Sequence, residues 1–356
     1  MSTCPYVSFV TYGRNDGYTP SYFRRVNRAS TCLATQLERA GIDAEIVFME
    51  WNPLADRPLL LDLFEFPKTL RHVTVRGYVV PPEYHKGFAG AGEAGFHAGE
   101  AANSGIRRAR GRFITPKASD SFLSPEVFSM IAEYTLDADT MYRIDRHDVP
   151  IDDEGIWDLS DDALFAKLAS LPSTPHAWIH QSRHWRLREL HTNACGDFTL
   201  MSAAYWHYLR GHPRDPTVLS LDIDSLLLHA AAALGVQERR WPDSCRVYKP
   251  THGKVFSERV QQVWHPWQRF LDKLLSERAG EEAAHWMRTT FDYPRRRVRG
   301  VASVVGPSIE KNFVRPASRW AKGEKPAPTQ PADWGLANVS LEPRTLCRAD
   351  WDSATL

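Results

Sequence analysis

The sequence predicts an α/β protein with an open, mostly parallel central sheet and helices on both of its faces. Strand-length apolar runs alternate with helix-length amphipathic stretches from residue 6 to about residue 136. Polar or charged residues follow directly after several of these strands. Because strand, helix, strand alternation favours parallel pairing, those polar residues are expected to meet at one edge of the sheet.

The first strand is "YVSFVTY" (residues 6–12), which ends in the polar turn "GRNDG". A helix follows in "SYFRRVNRASTCLATQLERAG", where apolar residues recur at helical spacing until Gly41. "DAEIVFMEWNP" predicts a second strand that Pro53 closes, and "RHVTVRGYVVPP" predicts a third. The glycine-rich "HKGFAGAGEAGFHAGEAANSGIRRARG" predicts an irregular loop and then a helix that stops at Gly111.

The next strand begins "RFIT" and runs to Asp120, and Ser124-Pro125-Glu126 opens a helix to about Leu136. "TMYRIDRHDVP" predicts a further strand, and residues 198–201 and 202–210 predict a strand and a helix. "SLDIDSLLLHAAAALG" predicts a helix ending at Gly235. We therefore expect one α/β domain over residues 1–255 and a helical C-terminal extension with a tail over residues 256–356.

Composition excludes several classes of protein. The chain has 356 residues and a formal net charge of +1, whereas a general nucleic-acid binder would carry a basic excess. The five cysteines are scattered and never spaced CxxC, which favours reduced thiols over a disulfide framework or a zinc site. No signal pattern and no apolar run of about 20 residues is present. These features predict a cytoplasmic, enzyme-sized globular protein without a transmembrane segment.

The ends of three predicted strands carry the candidate ligand-binding residues. Arg14, Asn15 and Asp16 follow the first strand, Glu50 ends the second, and Asp120 follows the strand after the glycine-rich passage. A carboxylate at such an edge commonly binds a ribose hydroxyl or a base N–H, and an arginine neutralises phosphate. No GxGxxG follows the first strand and no GxxxxGK[ST] occurs, so the first strand end is neither a dinucleotide fingerprint nor a P-loop. A plain turn at residues 15–17 is the alternative.

Several of these segments, taken in order, resemble the family 2-type glycosyltransferases of the GT-A, Rossmann-like fold. The segments are "RND", "EWNP", "GIRRARGRFI" followed by an aspartate, "MYRIDRHDV", "CGDFTLMS", "DSLLLHAA" and "DWGLA". The resemblance extends from about Tyr6 to Ala337. It implies transfer of a sugar from a nucleotide diphosphate-sugar donor to an acceptor, usually with Mg²⁺ or Mn²⁺.

The resemblance gives Asp120 contact with the metal and the donor diphosphate. The family's partner carboxylate two residues earlier is absent, since Ala118 stands there. Mg²⁺ often takes only one or two protein carboxylates together with substrate phosphates, so a lone aspartate does not rule it out. The resemblance also implies a metal or diphosphate contact for His252, with Lys249 and Lys254 near phosphate. The alternatives are a helix-capping role for Asp120 and a surface position for His252.

An inverting transfer needs a carboxylate base to accept the proton of the acceptor hydroxyl. Asp222 and Asp224 lie at the start of a predicted helix, where the helix dipole stabilises the ionised form. The resemblance favours Asp224, although the family's usual Glu-Asp pair is Asp-Ile-Asp here. Asp197 is expected to bind donor or acceptor hydroxyls, or else to shape a turn.

Other functions stay open at this point. A nucleotidyltransferase of related fold would carry a glycine-rich basic loop after the first strand, which "GRNDGYTPSY" matches poorly. The incomplete acidic motif leaves a catalytically silent sugar-nucleotide binder as an alternative. A methyltransferase would need a glycine-rich first turn, which is lacking. The basic run at residues 295–299 either touches a lipid headgroup at a membrane surface or is simply solvated.

Overall fold

A computed structural model describes residues 4–17, 19, 21–67, 70–88, 91, 95–175, 190–192, 195–214, 223–251, 313, 315–350 and 352. The strands are β1 (Val7–Gly13), β2 (Ala44–Trp51), β3 (Val73–Val80), β4 (Phe113–Ala118), β5 (Phe122–Leu123), β6 (Thr140–Arg143), β7 (Asp145–Val149), β8 (Thr174–Pro175), β9 (Met201–Ser202), β10 (Gln237–Arg240), β11 (Arg246–Pro250) and β12 (Arg344–Cys347). The α-helices are α1 (Tyr22–Arg39), α2 (Leu60–Leu63), α3 (Pro82–His85), α4 (Ala98–Arg108), α5 (Pro125–Ala132), α6 (Asp161–Ser170), α7 (Ala203–Leu209), α8 (Ile223–Ala233) and α9 (Arg315–Ala321). Two 3₁₀ turns cover Glu154–Asp158 and Trp334–Leu336.

The central sheet has six strands in the order β12-β3-β2-β1-β4-β9. The four inner strands are parallel to one another, whereas β12 and β9 run antiparallel at the two edges. All eight residues of β2 are buried, as expected for a strand covered on both faces. The predicted fold class, an α/β protein with a mostly parallel central sheet, is confirmed.

Alternate residues of the sheet face two different cores. Val10, Met49 and Ile114 pack with α4, α7 and α8 on one face. Phe9 and Phe113 pack on the other face, with α1 and α5. Because side chains alternate along a strand, the buried sheet supplies apolar groups to both layers of helices.

The predicted strand in "TMYRIDRHDVP" is two strands in different sheets. β6 pairs with β10, whereas β7 joins β11, β8 and, through β11, β5. The change falls at Ile144, which is buried between the two strands. The two strands are separated by a single residue, so the sequence pattern alone does not show where one sheet ends and the other begins.

In the C-terminal part, the structure describes residues 313, 315–350 and 352. Residues 252–312 lie outside the described part of the chain, so the boundary at residue 255 stays a prediction. Beyond it, α9 packs against α8, and Trp320 and Trp334 join the core beneath the sheet. β12 adds an antiparallel edge strand to β3. The described residues of the tail therefore pack on the main α/β core, and the predicted division into a domain and an extension stays a prediction.

None of the helices in the described residues is long and apolar enough to cross a membrane. All five cysteines are free thiols, and four of them are buried. The basic run at residues 295–299 falls outside the described ranges, and its predicted contact with a membrane surface stays a prediction.

Candidate functional site

The register of the central strands brings the predicted site residues to one edge. Gly13 at the end of β1 is paired with Glu50 on β2, and Tyr12 is paired with Ala118 on β4. The segments that follow β1 and β4 therefore leave the sheet side by side. This is the carboxyl edge at which open α/β sheets bind ligands.

Hydrogen bonds join the segment after β1 to two later loops of the chain, which contain Pro58 and Gly95. An Nη1 hydrogen bond 2.5 Å long joins Arg14 to the carbonyl oxygen of Gly95, and Asn15 donates to the Pro58 carbonyl at 2.9 Å. The backbone N–H of Asp16 donates to the Arg14 carbonyl at 2.9 Å. All three side chains are half-buried. Their predicted contacts with a nucleotide stay predictions.

Glu50 has a structural task that the sequence did not indicate. Its side chain is fully buried, and its carboxylate accepts hydrogen bonds from the backbone N–H groups of Leu60 at 2.7 Å and Leu61 at 3.1 Å. Burial raises the pKa of Glu50 to about 7, although the two N–H donors lower it. Glu50 therefore holds the start of α2 beneath the candidate site. Its predicted contact with the donor stays a prediction.

Asp120 lies between two cations at the end of β4. Its Oδ1 accepts a hydrogen bond from the ammonium of Lys249 on β11, and its Oδ2 lies 3.6 Å from Nη2 of Arg25 on α1. The Asp120 side chain is 4% exposed, that of Arg25 is 7% exposed and that of Lys249 is 13% exposed. The residue before α5 is Ser124, so the carboxylate of Asp120 serves this ion-pair cluster and not the start of that helix.

Lys117 adds a third cation to this cluster. It lies on β4, is fully buried, and donates a hydrogen bond from Nζ to the Ala118 carbonyl oxygen at 2.8 Å. Burial lowers the pKa of Lys117 to about 7, while the nearby carboxylates of Asp120 and Asp197 raise it and Lys249 lowers it. Lys117 therefore interacts electrostatically with both Asp120 and Asp197.

Asp197 and Asp224 form a second acidic position of the site. Asp197 is buried and accepts a hydrogen bond at 2.9 Å from Nη1 of Arg146. Asp224 lies in the first turn of α8, where its Oδ1 accepts from the Ser225 N–H at 2.8 Å. Burial raises the pKa of the Tyr12 hydroxyl above its ordinary value, and both carboxylates raise it further. Tyr12 therefore stays a neutral phenol beside the two aspartates.

Gly196 allows Asp224 to approach the backbone closely. A Cβ atom at Gly196 would lie 2.8 Å from Oδ2 of Asp224, closer than such atoms pack. Residue 196 must therefore be glycine for the Asp224 carboxylate to keep this position.

The described residues do not fit Mg²⁺ or Mn²⁺. Asp120 has no companion carboxylate at position 118, and two cations already neutralise its own oxygens. Over the described ranges, no three His, Cys, Asp or Glu side chains gather where they would hold a metal ion. His252 and Asp222 lie outside those ranges, so their predicted roles stay predictions, as does the predicted metal.

Three charged residues of the site were not predicted from the sequence: Lys117, Arg25 and Arg146. A lysine within the otherwise uncharged "FITPKA" is a signal that could have found Lys117, because a central strand rarely buries a charge without a partner. Arg25 and Arg146 give no such signal, because each lies in a stretch with several other charged residues.

Comparison with known proteins adds two structural likenesses. The chain is similar to the catalytic domain of Drosophila beta1,4galactosyltransferase 7, crystallised with xylobiose, at 11% identity and a TM-score of 0.34. This likeness covers 66% of this chain and 63% of that domain. The chain is also similar to S. aureus TarS residues 1–349, at 12% identity and a TM-score of 0.44, over 89% of this chain and 92% of that one. No family model and no curated protein matches the chain.

These likenesses are too distant to carry an argument about the reaction.

Proposed function

We propose that this protein is a glycosyltransferase that moves a hexose from a nucleotide diphosphate-sugar to an acceptor hydroxyl. The observation that supports it is a division of charge at one sheet edge. A cation-rich cluster surrounds Asp120, and a separate acidic position contains Asp197 and Asp224. Lys117 interacts electrostatically with Asp120 and with Asp197. A transferase needs cations to stabilise the anionic leaving group and a carboxylate to accept the proton of the acceptor hydroxyl.

In this proposal the nucleoside diphosphate lies at the carboxyl ends of β1 and β4. Lys249 is the most exposed member of the Asp120 cluster and faces the diphosphate. Arg14 and Asp16, from the adjacent segment after β1, contact the nucleoside. Because diphosphate leaves with an increased negative charge, a preorganised cation beside it lowers the barrier more than it stabilises the bound donor.

Asp224 is the proposed base. The acceptor oxygen forms a bond to the anomeric carbon while the bond from that carbon to the diphosphate oxygen breaks, and the hydroxyl proton passes to the Asp224 carboxylate. This single displacement inverts the anomeric configuration. Asp197, held by Arg146, is placed to accept hydrogen bonds from sugar hydroxyls. The cations paired with Asp120 stabilise the charge of the departing diphosphate.

The test is release of nucleoside diphosphate from a panel of donors. A thermal-shift screen of UDP-, GDP- and dTDP-hexoses first selects the donor, since a ligand at 100 times its Kd adds about 2.7 kcal/mol of stability. The selected donor is then incubated with the protein, and free nucleoside diphosphate is measured over time.

Slow release without an acceptor supports a transferase, because water replaces the acceptor hydroxyl. If the donor binds tightly but no nucleoside diphosphate is released, the result would contradict the transferase and indicate a silent sugar-nucleotide binder. Release of pyrophosphate from a nucleoside triphosphate and a sugar phosphate would instead indicate a nucleotidyltransferase.

A further inference from the structure

The ion pairs around Asp120 contain more positive than negative charge. Arg25, Lys117 and Lys249 surround one carboxylate, that of Asp120. The next carboxylate, Asp197, is already engaged by Arg146 at 2.9 Å. The two ion-paired cations, Arg25 and Lys249, therefore outnumber the Asp120 carboxylate that they share.

These cations come from three separate elements of the fold. Arg25 lies on α1, Lys117 on β4 and Lys249 on β11. Thr19 accepts a hydrogen bond from Nη2 of Arg25 at 2.6 Å, which fixes the guanidinium beside Asp120. Burying these three basic groups close together costs free energy, because each charge loses water. An anionic ligand bound beside them would offset part of that cost.

The same arrangement works against a divalent cation. A metal ion at Asp120 would displace Lys249 or Arg25 from the carboxylate, and it would lie beside the remaining cations. Ala118 offers no oxygen from its side chain. A metal ion needs at least one free carboxylate oxygen from the protein, and both oxygens of Asp120 lie against cations, whereas diphosphate oxygens accept N–H donors directly.

We propose that the Asp120 cluster binds the donor diphosphate directly, with Lys249 as its contact and Arg25 and Lys117 as supporting charges, and that no divalent cation takes part. This inference rests on the proposed function, because it concerns the same diphosphate. Lys249 presents three N–H donors from the most exposed position of the cluster. Asp120 is then a positioning residue that orients two cations and not a metal ligand.

Calorimetric titration of the full-length protein with UDP, GDP, dTDP and CDP tests this directly. Each titration is run in EDTA, in Mg²⁺ and in Mn²⁺, with the matching nucleoside as the comparison. We expect at least one nucleoside diphosphate to bind in EDTA with a Kd within threefold of its value in either metal. We expect the nucleoside to bind at least tenfold more weakly.

A nucleoside diphosphate that binds only with Mg²⁺ or Mn²⁺, or at least tenfold more tightly with them, would overturn the metal-free site and leave the proposed function standing. Failure of all four nucleoside diphosphates to bind under any condition would overturn both.

Variants then test which cation makes the contact. Lys249→Gln should raise the Kd for the nucleoside diphosphate in EDTA by tenfold or more, and Lys249→Arg should restore most of the affinity because it keeps the charge. Lys117→Met should weaken binding by a smaller factor of about threefold to tenfold. Lys167→Met, on the exposed side of α6, is the matched control and should bind as the wild type does.

The Kd for the nucleoside is measured with each variant and should not change. Equal affinity of Lys249→Gln and wild type for the nucleoside diphosphate would overturn the assigned contact. If Lys249→Gln does not fold, an unchanged Kd in Lys117→Met would overturn the role of the cluster.

Discussion

Replacing Glu50 with glutamine tests whether burial raises the pKa of the Glu50 carboxyl in the folded protein. The substitution keeps the size of the side chain and one oxygen acceptor for the Leu60 and Leu61 N–H groups, and it removes the titration. Burial raises the pKa of Glu50 to about 7 from an ordinary 4.5. The folded protein therefore holds this proton more tightly than the unfolded chain does.

The sign and size of the effect follow from that difference. The neutral carboxyl stabilises the folded state fully below pH 4.5, and this contribution is lost as the pH rises through about 7. At about 1.36 kcal/mol for each pH unit between the two pKa values, the whole loss amounts to about 3 kcal/mol. Roughly 2.5 kcal/mol of it falls between pH 5 and pH 8.

The assay is urea unfolding of wild type and Glu50→Gln at several pH values from 5 to 8. Groups other than Glu50 titrate alike in both proteins and cancel in the difference between their free energies of unfolding. The glutamine variant loses part of one hydrogen bond at every pH, at a cost of about 1 kcal/mol. Relative to wild type it should therefore gain about 2 to 3 kcal/mol between pH 5 and pH 8. If the free energies of unfolding of the two proteins change in parallel with pH, the raised pKa of Glu50 would be refuted.

The remaining predictions concern the donor, the base and the cluster. Glu50→Ala should raise the donor KM more than it lowers kcat if Glu50 contacts the nucleotide, and steady-state kinetics check this. Asp224→Asn should lose transfer by about 10²–10⁴-fold while binding the donor normally in calorimetry, because a general base contributes to rate and little to affinity. Gly196→Ala should also lose transfer, with a melting temperature close to that of wild type, because its Cβ displaces only the carboxylate of Asp224. Lys117→Met should be at least as stable to urea as wild type at pH 7, because it removes a buried amine. The Ala118 carbonyl oxygen keeps its hydrogen bond from the Ser121 hydroxyl at 2.9 Å.

Much of the fold follows from local patterns in the sequence. β1, β2 and β3 match apolar runs that end in glycine, proline or polar residues, and α1 matches a stretch of apolar residues at helical spacing. The pairing of β12 with β3 could not be predicted, because Arg344–Cys347 is a four-residue stretch without a clear alternation, more than 260 positions from its partner. Its position depends on the packing of the whole tail.

Only part of the candidate site could be predicted from the sequence. Parallel pairing brings Arg14 and Asp120 to one edge, and this follows from strand order alone. The partners of Asp120 do not follow, because Arg25 comes from an early helix and Lys249 from a strand more than 120 residues later. The sequence places Ala118, which has no carboxylate, two residues before Asp120, but only the fold shows which charges surround Asp120.

The most direct measurement is a crystal structure of the protein with the nucleoside diphosphate that binds most tightly. We expect the diphosphate at the carboxyl ends of β1 and β4, with an oxygen about 2.7–3.2 Å from Nζ of Lys249. The nucleoside should lie against the segment that contains Arg14 and Asp16. A diphosphate bound at another surface, with Lys249 and Asp120 paired and untouched by the ligand, would contradict the account.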